Sequence, residues 1–127
     1  MKAILMFLLI SIIFSCQLGN ETSPILEVNA IVYNNNLPVD GCAEHISLID
    51  AKGDEIKSVL PTEETKAMFF ELLNAEIVKI PKDTYSGNLH FTVVLKYRET
   101  QQKAELLCGW NKKSMLQQIE IISISKK

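Results

Sequence analysis

From residue 90 to residue 98 the chain alternates without a break. Phe91, Val93, Leu95 and Tyr97 fall on one side, and His90, Thr92, Val94, Lys96 and Arg98 on the other. Successive side chains of a strand point to opposite faces, so this period of two describes a half-buried antiparallel strand. Such a strand needs partners and a core, and shorter runs with the same habit supply them. Residues 27–33 set Val28, Ala30 and Val32 on one face, and the Asn-Asn-Asn-Leu-Pro run at 34–38 breaks the pattern. Ile46, Leu48 and Ile49 mark a second strand ending at Asp50, and Lys52-Gly53-Asp54 has the chemistry of a turn before a returning strand at 55–60. Residues 99–102 read as a polar turn, with 103–110 returning so that Leu106, Cys108 and Trp110 share a face. The last strand, 118–125, slips phase between Ile121 and Ile122 as a β-bulge requires.

One segment departs from this habit. Thr62 suits a helix N-cap, Glu63 and Glu64 suit the first turn, and Met68, Phe69, Leu72 and Leu73 recur at helical spacing. A helix of about three turns is expected, ended by Asn74, with a short strand at 76–80. The order is then three strands, a helix, and two or three strands. That is a mainly β chain: a small antiparallel OB-like barrel or sheet of five to six strands, with one helix between the third and fourth.

The N-terminus carries a different message. Lys2 precedes an apolar run from Ala3 to Phe14 interrupted only by Ser11, too short to span a bilayer and of the length of a secretory signal. The run ends in Ile13-Phe14-Ser15-Cys16, which resembles the lipobox of bacterial lipoproteins. The resemblance implies cleavage after Ser15, a diacylglyceryl group on the Cys16 thiol and acylation of the new amino terminus. Several acyl chains on one residue anchor a protein stably without a transmembrane helix. Gln17 stands where an Asp would favour inner-membrane retention, so the expected address is the outer membrane, at its periplasmic face or the cell surface. The domains are then a signal peptide at 1–15, a lipidated tether at 16–24 and a single β-barrel-like domain at 25–127.

With Cys16 consumed by lipid, Cys42 and Cys108 remain, 66 positions apart. An even pair in an exported chain reads as a disulfide. Two other states stay open: a zinc site completed by His45 and His90, although the paired short knuckles of such sites are missing, and two free thiols. Asp40-Gly41-Cys42 after the first strand and Cys108-Gly109-Trp110 before the last are similar to motifs of a group of small disulfide-bonded bacterial lipoproteins. That resemblance implies a Cys42–Cys108 bridge and an OB-like barrel, and it carries no activity.

Catalytic chemistry finds little support. His45 and His90 are the only residues titrating near neutrality, and neither belongs to a nucleophile elbow or a zinc-protease helix. His90 alternates with Thr92 and Lys96 and is expected on a solvated face. No glycine-rich phosphate loop offers a seat for a nucleotide cofactor, and no metal or other cofactor is expected. The 13 basic residues are outnumbered by 15 acidic ones, a net charge of −2, which lacks the basic footprint of a nucleic-acid binder. Trp110 is the one large aromatic that suits a contact residue, although its place beside a cysteine and Gly109 reads more simply as a lid over the core. The expectation is a non-catalytic binding or envelope-structural module, anchored through Cys16, with an envelope protein or glycan as partner. One alternative is an inhibitor of host or competitor hydrolases, presenting residues 81–88 or 112–116 as a loop. Another is a small hydrolase using His45 or His90.

Overall fold

The computed structural model describes residues 22–35 and 41–127. The expected signal peptide at 1–15, Cys16 and most of the expected tether lie outside the described residues, as do residues 36–40. Five strands form the fold: β1 (Leu26–Tyr33), β2 (His45–Ile49), β3 (Glu55–Pro61), β4 (His90–Leu107) and β5 (Lys113–Lys126). One helix, α1 (Lys66–Ile77), separates β3 from β4. The strands close into a barrel in the order β1-β2-β3-β5-β4, the OB-like plan.

The alternation of each strand turns its apolar side inward. Ala30, Val32, Ile46, Leu48, Val59, Val93, Leu95, Tyr97, Ile119 and Ile121 fill the barrel, and Phe69 and Leu73 of α1 join the same core. Two bulges adjust the curvature. Lys96 pairs with Ser123 and Tyr97 with Ile121, which leaves Ile122 as the extra residue at the expected phase slip. Leu48 pairs with Lys57 and Ile49 with Glu55, which skips Ile56 and leaves its side chain exposed. The β2–β3 turn is held by Asp50, whose carboxylate accepts from the backbone N–H groups of Lys52 and Asp54 at 2.8 and 2.9 Å. Gly53 supplies the positive φ of 90° there.

Two expected boundaries move. Residues 99–102 do not reverse the chain: β4 runs on as one 18-residue strand, and the register against β5 shifts between Glu99 and Lys103. Glu-Thr-Gln-Gln holds no glycine, proline or asparagine to set a turn, so the strand bends and continues. The partner of residues 103–107 is β5, and the reversal falls at Gly109–Asn111. The helix also sits later than its apolar spacing implied. Thr62 forms a preceding turn, its carbonyl accepting from the N–H groups of Thr65 and Lys66. Asn74 lies inside α1, and 76–80 completes the helix and a turn instead of a strand. Asn is a weak helix stop without the left-handed geometry that glycine supplies. Here Glu76 pins the last turn by bonding Lys79 at 2.5 Å and Lys126 of β5 at 2.6 Å.

The barrel closes through a short parallel junction between β3 and β5, with Leu60 opposite Gln118 and Pro61 opposite Ile119. Side chains reinforce it: Gln118 Nε2 donates to the Pro61 carbonyl at 3.1 Å, and Ile121 N–H donates to Thr65 Oγ1 at 3.1 Å.

Candidate functional site

Cys42 and Cys108 are joined in a disulfide, which removes both thiolates that a zinc site would need. The bridge ties the β1–β2 connection to the β4–β5 connection. Backbone bonds flank it, from Ala43 N–H to the Leu107 carbonyl at 2.8 Å and from Gly109 N–H to the Gly41 carbonyl at 2.6 Å. In OB folds these two connections border the ligand face.

Beyond the bridge lies the β4–β5 hairpin tip. Gly109–Asn111 makes a 3₁₀ turn in which Trp110 (φ 60°) and Asn111 (φ 55°) both take left-handed backbone. That geometry carries the indole out of phase with Leu106 and Cys108. Leu106 is buried, whereas Trp110 is 78% exposed. The lid reading is therefore overturned, and Trp110 stands in solvent as a surface residue. Of the two loop candidates, 112–116 lies mostly within β5. The other, 81–88, holds a 3₁₀ turn at Ser86–Asn88 and an exposed Tyr85.

A second group gathers on the outer face of the barrel, and one member of it was not singled out from the sequence. The β1 register sets Tyr33 opposite His45 of β2 and opposite His90 of β4. The rings stack, with centroids 4.9 Å apart for Tyr33–His45 and 5.8 Å for Tyr33–His90. The phenol O–H donates to Glu55 of β3. Burial first, then this hydrogen bond and the carboxylate's charge, push the Tyr33 pKa up to about 12, so the phenol stays a donor across the physiological range. Beside the row, the hydroxyls of Ser47 and Ser58 bond each other at 3.1 Å.

Both imidazoles are oriented in the same way. His45 Nδ1 lies 2.8 Å from the Ala43 carbonyl, and His90 Nδ1 lies 3.1 Å from the Asn88 carbonyl. A carbonyl oxygen only accepts, so each Nδ1 is the donor, and the tautomer this selects in a neutral ring has Nε2 as its acceptor. Among the described residues neither Nε2 has a hydrogen-bond partner, and no set of three metal-ligating side chains comes together. No carboxylate bonds either imidazole among the described residues; Glu55 is engaged by Tyr33. The basic residues of this stretch of β4 are paired, Lys96 with Glu27 at 3.4 Å and Arg98 with Glu120 at 3.6 Å.

No family model, curated protein or solved structure matches the chain. The likeness to OB folds thus rests on strand order, closure and the position of the helix. A groove of about 450 Å³ between α1 and β5 is lined mainly by apolar side chains, Met68, Leu72, Ile122 and Ile124 among them, with Glu71 and Ser123 as its polar residues.

Proposed function

We propose that this chain is a lipid-anchored extracytoplasmic binding module, non-catalytic, held at the membrane through Cys16 and engaging an envelope glycan or protein. The row His45–Tyr33–His90 carries the reading. It offers two outward Nε2 acceptors and the Glu55 carboxylate on a rigid strand platform, a pattern suited to a ligand rich in hydroxyl donors. Each imidazole faces a backbone carbonyl and not an acidic partner, an arrangement that favours recognition over the acid–base work of a hydrolase. The lipobox-like run at 13–16 and the disulfide support the oxidising extracytoplasmic setting.

The test is binding of purified envelope glycans and proteins to wild type and to a His45→Ala/His90→Ala double variant with unchanged melting temperature. Affinity should fall at least roughly tenfold, the effect of losing one or two buried hydrogen bonds. Equal binding by both proteins would refute the assignment. In cells, Cys16→Ser should release the chain from the membrane fraction or block its processing, and normal membrane retention would remove the anchor from the reading.

A further inference from the structure

We infer that the β4–β5 hairpin tip is a second membrane contact, with Trp110 seating in the interfacial layer of an anionic lipid bilayer. The inference goes beyond glycan or protein recognition by the ring row, and takes only the nearness of a membrane from the Cys16 anchor.

Three observations converge on the tip. The first is its surface. Trp110 is 78% exposed and Met115 62%, and Leu107 shares the outer face of the hairpin with Met115 through the Glu105–Met115 and Leu107–Lys113 pairs. An indole with aliphatic neighbours and adjacent lysines is the composition that settles at the headgroup level of bilayers.

The second is charge. Residues 101–117 contain Lys103, Lys112 and Lys113 against Glu105, and Glu44 lies in one groove with Ala104 and Glu105, a local charge of +1 on a chain whose total is −2. The rest of the molecule therefore carries −3. Glu105 is already engaged by Lys113 at 3.2 Å, while Lys103 and Lys112 have no ion-pair partner among the described residues. A basic, apolar tip on an acidic body turns that tip, and not the body, toward an anionic surface.

The third is reach. Ten residue steps separate position 16 from Leu26, where β1 begins, so an anchor at Cys16 would hold the barrel within roughly 35 Å of the bilayer. A domain of this size is about 30 Å across, so rotation on the tether would bring the tip to the surface. At such effective concentrations a weak contact is enough. The disulfide and its flanking backbone bonds hold the tip ready, so little ordering is lost on docking.

All strands, the helix, the disulfide and the core lie between Leu26 and Lys126, so a chain beginning at Gln17 holds the complete barrel and carries no lipid of its own. Trp110 is its only tryptophan and reports directly. The experiment titrates this protein with vesicles of phosphatidylglycerol and phosphatidylcholine in equal parts, and with phosphatidylcholine alone, following indole emission and quenching by brominated acyl chains. The expected result is a blue shift and quenching on the anionic vesicles alone, reversed by salt. Lys112→Gln should weaken partitioning about fivefold. Trp110→Ala, followed by vesicle flotation, should weaken it by roughly tenfold or more. Unchanged emission on anionic vesicles, or equal binding to both compositions, would overturn the inference. Because Cys16 is absent from the assay, this outcome is independent of the Cys16→Ser fractionation. A tip that binds vesicles while the Cys16→Ser/Trp110→Ala double variant stays membrane-bound would sink the anchor and leave the contact standing.

Discussion

Trp110 and Asn111 hold consecutive left-handed backbone conformations. Asparagine tolerates this region, whereas a bulky aromatic pays roughly 1–2 kcal/mol for it. The indole recovers little through packing, since it stands in solvent. Trp110→Gly should therefore raise stability by about 1 kcal/mol in urea unfolding followed by circular dichroism, while weakening vesicle binding as Trp110→Ala does. A loss of stability would show that the indole supports the fold. Its exposure was hidden in the sequence because simple alternation puts position 110 in phase with Leu106 and Cys108, and only the left-handed turn breaks that phase. Tyr33 was hidden for another reason. Val28, Ala30 and Val32 mark the inward phase of β1, whereas Ile31 and Tyr33 on its outward phase carry no pattern that sets them apart. The histidines on either side are 45 positions apart in sequence, and only the β2–β1–β4 register makes them neighbours.

Among the elements, α1 shows how one buried carboxylate holds a helix to a barrel. Glu76 accepts from Lys126 and Lys79, and these bonds, in that order, draw its pKa below 4.5 against the opposing effect of burial. A carboxyl that ionises more readily when folded binds fewer protons in the native state, so its contribution is present above pH 4.5 and fades as pH falls through the native value. Glu76→Gln should lower the melting temperature at neutral pH, and the gap from wild type should close in acid. A gap that persists unchanged at low pH would assign the effect to packing. The same helix marks what the sequence could reveal about elements. The apolar period identified Phe69 and Leu73 as core, but the ends depend on the Thr62 carbonyl accepting from Thr65 and Lys66 in a turn and on Lys126, 50 residues from Glu76. Strand alternation was more informative. It located β1, β2 and β3 to within a residue or two, and even the bulge at Ile122, because each inward position is tested by the barrel interior. It failed at 99–102, where polar residues on a bending strand look like a turn.

For the whole molecule, the disulfide and the core are separate supports. Neither Cys42 nor Cys108 belongs to the buried cluster, and the strands close without them. Replacing both by serine removes a crosslink spanning 66 residues, worth roughly 4 kcal/mol by chain entropy and typically 2–4 when measured. Domains of this kind hold only about 5–15 kcal/mol in total. The double variant should keep its strand signal in circular dichroism at room temperature and unfold at clearly lower urea. Outright unfolding would mean that the barrel cannot close unaided.

The parallel contact between β3 and β5 has its own consequence. It consists of two residue pairs, one of them involving Pro61, which has no N–H to give. Every other junction in the ring is antiparallel. The cylinder thus has a zip fastener of uneven teeth, and the place where it first unrolls is already chosen. Deuterium should enter at Thr62 and Ile121 before it reaches the β1–β4 amides, and the ribbon released by that opening would still keep its hairpins intact.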